Sequence, residues 1–253
     1  MALLLKLSNS FFITLYMDTA QDLYVVSLEN ASIMQADKVI LRNISLTVHK
    51  GEFLYLIGKT GSGKSSLLRT LYADLPLTKG KGNVVGFALE NIKTKQVPFL
   101  RRKIGIVFQD FQLFTDRNIA ENLLFVMEAT GWQDKEKMRR RVEWVLSEVG
   151  MTRFMSYYPH QLSGGEQQRI AIARAMINSP EVIFADEPTG NLDPFIANDI
   201  HDLFIKINQS GTAIVMATHN HAFLKRHPAK VLVCDNHELK SVDKEEVAKR
   251  FKE

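Results

Sequence analysis

Residues 58–65 read Gly58-Lys59-Thr60-Gly61-Ser62-Gly63-Lys64-Ser65, a match to G-x-x-x-x-G-K-[ST]. Successive backbone N–H groups in such a loop form a concave anion nest, and the glycines let the chain curl closely around oxygens. A helix beginning at the loop's end adds partial positive charge. Lys64 is expected on the β and γ phosphates and the Ser65 hydroxyl on a magnesium ion. Lys59, Thr60, Ser62 and Ser66 complete the expected phosphate-binding set. A second feature, this one acidic, lies far along the chain. Val182-Ile183-Phe184-Ala185 runs into Asp186-Glu187. Asp186 is expected to help hold the metal. Glu187 is expected to polarise an attacking water. An adjacent glutamate suggests a hydrolase with its own base, rather than a GTPase that positions water with glutamine.

The elements around these residues alternate between strand and helix patterns. Phe53–Ile57 is a continuous apolar run ending at Gly58, as in a buried strand. A helix is expected from Lys64 to about Ala73. Further strands are expected at Leu23–Leu28, Ile40–Val48, Ile104–Phe108, Glu181–Ala185, Thr212–Ala217 and, last, Lys230–Cys234, with Gly80–Phe87 a strand or a hairpin. Two helices fill about Asn118–Gly150, and Pro194–Asn208 is amphipathic. This alternation, with the phosphate loop at one strand end, predicts an α/β fold with a parallel sheet, an opening β layer and a mostly helical insert.

Composition narrows the class. With 253 residues, 45% of them hydrophobic, a disordered or fibrous chain is excluded. One cysteine, Cys234, excludes a disulfide framework and fits a reducing compartment. The 32 basic against 28 acidic residues leave a net charge of +4, too modest to argue for a nucleic-acid partner. No run approaches about 18 uninterrupted apolar residues, so no membrane-spanning helix is expected. Residues 1–22 read as an N-terminal extension, its first 16 residues upstream of a start at Met17. Residues 23–243 read as one nucleotide-binding domain, and 244–253 as a charged tail.

Leu162-Ser163-Gly164-Gly165-Glu166-Gln167-Gln168-Arg169 precedes an apolar helix at Ile170–Ile177. This octapeptide resembles the signature of the ATP-binding cassette family, and the resemblance covers about Leu23 to Asp243. Other motifs follow the family's order. Gln109 stands where the Q-loop glutamine belongs and would join the metal site. Asp193 stands in the D-loop, and His219 resembles the switch histidine that senses the γ-phosphate. The resemblance implies a P-loop NTPase core with an antiparallel β layer and an inserted helical subdomain at about 110–165. It also implies a head-to-tail homodimer in the ATP-bound state, with Ser163, Gly164 and Gly165 acting on the other subunit's ATP. One departure concerns the base. The family stacks adenine on an aromatic residue, whereas the nearest candidates here are Ile33 and Met34. Met34 offers only a soft apolar face, so base stacking should be weaker.

Two segments narrow the likeness within the family. Val97-Pro98-Phe99-Leu100-Arg101-Arg102, with Phe108-Gln109-Asp110 and Asp116-Arg117 after it, is similar to bacterial cell-division cassettes. Asp186–Asp193 is shared with lipoprotein-releasing and macrolide-type exporters. The resemblance implies an integral membrane permease as partner, membrane association only through it, and a place on the cytoplasmic face of the bacterial inner membrane. Nucleic-acid cassettes usually carry two cassettes or a long coiled-coil insertion, and this chain has neither. Phe111-Gln112-Leu113-Phe114 reads either as a groove for a partner helix or as packing within the helical insert.

Overall fold

The computed structural model describes residues 24–242. The extension at 1–22 and the tail at 244–253 lie outside the described residues. The chain opens with β1 (Tyr24–Gln35), β2 (Lys38–His49) and β3 (Phe53–Ile57), followed by α1 (Lys64–Leu71). Next come β4 (Lys79–Val84), β5 (Phe87–Ala88), α2 (Val97–Lys103) and β6 (Ile104–Val107). Three helices follow: α3 (Ile119–Ala129), α4 (Lys135–Glu148) and α5 (Gly164–Met176). The chain then runs through β7 (Val182–Asp186), α6 (Pro194–Gln209), β8 (Ala213–Ala217), α7 (His221–Arg226), β9 (Lys230–Asp235) and β10 (Glu238–Val242).

Two sheets form. One is antiparallel, with strand order β2-β1-β4-β5. The other has the order β10-β9-β3-β8-β7-β6, with β9 through β6 parallel and β10 antiparallel at the edge. The antiparallel layer, the parallel core and the intervening helices form the α/β architecture expected of a P-loop cassette.

Strand alternation explains how the second sheet is covered. Phe53, Tyr55 and Ile57 pack with the helices α3 to α6. Leu54 and Leu56 point the other way, into a core shared with β1, β2 and the α1 leucines 67, 68 and 71. Successive side chains of a strand face opposite sides, so a central strand covered on both must be apolar throughout. The same parity governs β7. Ile183 and Ala185 join the helical side, whereas Val182 and Phe184 join the α1 side. Asp186 shares the parity of Val182 and Phe184, so its carboxylate comes out on the side of α1.

Three expectations need correction, and one helix, α2, has no counterpart in the sequence pattern. β1 runs to Gln35, well past Leu28, because its register shifts let a long strand bend along β2. β10 follows the strand expected to be last. Its residues Glu238-Leu239-Lys240-Ser241-Val242 are mostly exposed, as suits an edge, and so lack an apolar pattern. α2 was hidden because seven residues are too few to display helical periodicity; Pro98 lies in its first turn, where a missing N–H is tolerated. The signature does not precede its helix but begins it, at Gly164.

Candidate active site

β3 delivers the chain into the phosphate loop at Gly58. A Cβ there would lie 2.4 Å from the Cys234 carbonyl oxygen, and φ is +150°. Only glycine fits this exit, with β9 alongside. Lys64, the first residue of α1, is buried. Its Nζ donates to the carbonyls of Gly58 at 2.8 Å and Lys59 at 3.4 Å, so the ammonium folds back under the loop. Ile40 from β2 packs against Gly63, and Ser66 Oγ donates to Gln35 Oε1 at 3.4 Å. The β1–β2 turn therefore borders the loop. Met34, next to Gln35, is half-buried there, while Ile33 is wholly buried and offers no exposed face.

The end of β7 meets this loop from the neighbouring part of the sheet. Glu187 Oε1 lies 3.5 Å from Lys64 Nζ. Its Oε2 accepts from the His219 backbone N–H at 3.2 Å and pairs with His219 Nδ1 at 2.8 Å. Glu187 has a φ of +47°, which breaks strand alternation and turns its carboxylate away from the direction a regular strand would impose. Glu187 N–H also donates to the Ala217 carbonyl at 3.0 Å, which fixes that turn against β8.

Asp186 has the environment of a metal carboxylate. Burial raises its pKa above the usual carboxylate range, opposed by a hydrogen bond from Ser65, while Glu187 adds to the rise and Lys64 opposes it. Among the described residues, Asp186 Oδ1 and Ser62 Oγ are buried without a hydrogen-bond partner. The Ser65 hydroxyl and the Asp186 carboxylate, whose buried Oδ1 has no partner, are hard oxygen donors that fit Mg²⁺.

Gln109, just past β6, donates from Nε2 to Asn191 Oδ1 at 3.1 Å, and Asn191 Nδ2 returns a bond to the Gln109 carbonyl at 3.4 Å. Asp193 caps α6, accepting from the N–H groups of Phe195 at 3.0 Å and Ile196 at 3.1 Å. Ser163 caps α5 in a reciprocal box: its N–H and hydroxyl donate to Glu166 Oε2 at 2.9 and 2.7 Å. Gly165 is needed for close packing, since a Cβ would meet Ile196 Cγ2 at 2.5 Å. Gly164 borders Leu192. The signature and the segment 191–196 thus form one surface, whereas Lys64, Ser65, Asp186, Glu187 and His219 form another cluster. The hydrogen bonds of Ser163 stay within its own cap.

Sequence reasoning missed three residues. Asn191 stands two residues before Asp193 with no pattern of its own, yet its side chain holds Gln109. Asn122 is fully buried and bonds to the backbone of Phe114, Arg117 and Asn118, fixing the segment after Gln109. Its position inside an apolar helix face was the available signal. Arg174 binds the carbonyls of Phe111 and Gln112. The two readings of 111–114 divide by residue. Leu113 packs on the helical core, while Phe114 is exposed, edge-on to Phe125 at 4.8 Å with Arg117 over both rings.

The ABC transporter family matches residues 41–190, and the chain belongs to the ATP-binding cassette family. It is an ABC ATPase that resembles the cell division ATP-binding protein FtsE. Identity to FtsE of Streptococcus pneumoniae is 46% over 196 residues, covering 78% of this chain and 85% of that protein. Identity to the lipoprotein-releasing system ATP-binding protein LolD of Aquifex aeolicus is 45% over 199 residues, covering 75% and 88%. Among solved structures, the dimeric post-hydrolysis state of the cassette MJ0796 bound to ADP and Pi has a TM-score of 0.75 at 30% identity, covering 86% of this chain and 98% of that one.

Proposed function

We propose that two copies of this chain close head to tail on two ATP molecules and drive a membrane permease, in the manner of FtsE acting with FtsX to control peptidoglycan hydrolysis during division. The observation that carries the reading is the convergence on Glu187. One carboxylate oxygen lies 3.5 Å from Lys64 Nζ and the other 2.8 Å from His219 Nδ1. A base, a phosphate-loop cation and a histidine therefore share one point.

The chemistry follows from these positions. Loop N–H groups from Gly58 to Ser66 hold the phosphates, and Lys64 exchanges its carbonyl partners for phosphate oxygens. Ser65 and Asp186 would hold a Mg²⁺, with Gln109 joining them on closure, and the ion would supply positive charge against the phosphates. Met34 lies against the base. Glu187 accepts the proton of a water that attacks the γ-phosphorus in line while ADP leaves. His219 holds Glu187 and meets the γ-phosphate. The second copy's Ser163-Gly164-Gly165 caps that phosphate with hydroxyl and N–H donors, and Asp193 lies at the seam between copies. Hydrolysis removes the phosphate bridging the halves, and the dimer opens.

The permease docks beside Gln109, where Phe114, Phe125 and Arg117 are presented. Among the described residues, no helix is long and apolar enough to cross a membrane. The proposed location is the cytoplasmic face of the inner membrane, reached through the partner, with no role for nucleic acid. The similarity to LolD supports a second reading, a lipoprotein-releasing or macrolide-type exporter. Co-purification separates them. A four-span partner with a large external loop before its second span identifies the FtsX type; a partner with a periplasmic lipoprotein-release domain identifies the other.

The central test is Glu187→Gln. It should bind ATP, abolish turnover and trap a dimer visible by light scattering. Hydrolysis at the wild-type rate would show that Glu187 is not the base.

A further inference from the structure

Gln109 and the three residues after it touch three parts of the site. Gln109 pairs with Asn191. The Phe111 ring borders Gly164 of the signature. The carbonyls of Phe111 and Gln112 both accept from Arg174, through Nη2 at 2.8 Å to Phe111 and through Nη1 to Gln112.

The backbone between these contacts is strained. Phe111 and Gln112 are consecutive non-glycine residues with φ of +58° and +50°. Gln112 N–H donates to the Asp110 carbonyl at 2.6 Å, closing a three-residue turn around Phe111. Left-handed non-glycine residues in sequence are unfavourable and persist only where the surroundings hold them. Arg174 supplies that hold. A planar guanidinium presents a fork of donors that can serve two adjacent carbonyls at once. Burial pulls its pKa down to about 10, with Asp110 opposing the shift. A cation kept in such a place requires the hydrogen bonds it makes.

Arg174 also belongs to α5, the helix that Ser163 caps and Gly164 begins. Ten residues separate Gly164 from Arg174, about 15 Å of rigid helix. Any shift of the signature end is transmitted through α5 to the turn after Gln109.

We propose that Arg174 is a positioning residue for Gln109: it clamps the left-handed Phe111–Gln112 turn and ties the placement of Gln109 to movement of the signature helix. The inference rests on the proposed role of Gln109 at the ATP site. Lysine at 174 keeps a charge and a long stem but cannot fork to both carbonyls.

The test compares ATPase kcat and ATP affinity of the full chain for Gln109→Ala, Arg174→Lys, Gln112→Gly and the pair Arg174→Lys with Gln112→Gly. Rates are divided by the nucleotide-binding stoichiometry of each preparation. Arg174→Lys should lower kcat about tenfold with ATP affinity unchanged, the signature of an interaction used in turnover rather than in binding. The loss should shrink in the Gln112→Gly background, where the left-handed turn needs less restraint. An equal loss in both backgrounds overturns the clamp. So does a loss that disappears after division by stoichiometry, which marks a folding role. Wild-type kcat for Arg174→Lys with a low kcat for Gln109→Ala removes this inference and leaves the role of Gln109 standing. An unaffected Gln109→Ala removes that role itself.

Discussion

Gly58 and Cys234 are in such close register that a single added carbon at Gly58 would sit 2.4 Å from the Cys234 carbonyl oxygen. The contact comes from β9 running parallel to β3, with Ile57 opposite Val233. The phosphate loop thus leaves its strand through a gap set by the neighbouring strand. Gly58→Ala should open that gap and misplace the loop N–H groups. Its backbone strain alone is worth about 1–3 kcal/mol. Calorimetric titration should show ATP affinity lost, with a lower thermal midpoint; unchanged affinity would mean that the loop does not depend on this exit.

Met34 offers a direct test of the base platform. It lies beside Gln35, which Ser66 touches, and it is half-buried. Met34→Tyr supplies a flat ring at the same position. Stacking of rings is worth about 0.5–1.5 kcal/mol, so ATP should bind roughly 2- to 10-fold tighter. Parallel titration with GTP should show whether the gain favours adenine. No gain for either nucleotide would place the base elsewhere.

Acid sensitivity should arise at His201. It is wholly buried, accepts or donates at 2.7 Å to Tyr55 OH, and stacks on Phe223 at 4.2 Å. Burial pulls its pKa to about 4, with His227 and Arg226 adding to the effect. A folded pKa below the unfolded value of about 6.5 means that the unfolded chain binds the proton more readily. The stability from this site is complete above pH 6.5 and lost as pH falls toward 4. Between pH 7 and pH 5 the loss is at most about 2 kcal/mol. Urea unfolding at the two pH values measures it. His201→Gln retains a partner for Tyr55 without titrating, and should flatten the dependence; an unchanged slope would assign it to other groups.

The phosphate loop, the acidic end of β7 and the signature were legible because each is contiguous. Strand, glycine turn and helix start lie within a dozen residues, and the anion nest is a property of local backbone. Parity within β7 even assigns Asp186 to the side of α1. The roles of Gln109, Asp193 and His219 came from resemblance rather than from local chemistry, since a lone polar residue after a strand has no distinctive pattern. β10 and α2 escaped because a short edge strand and a seven-residue helix bury too few side chains to leave a period.

By itself, then, the sequence determined that this chain binds phosphate beside an acidic strand end, because those features are encoded by neighbours in the chain. The tertiary structure decided which distant residues act together. Placing β8 between β3 and β7 brings Lys64 to Glu187, and Glu187 to His219. The loop after β6 meets Asn191 through Gln109 and meets α5 through Arg174. Such contacts depend on strand order and helix packing, which minimise exposed apolar area over the whole fold and leave no mark at the spacing of any one motif.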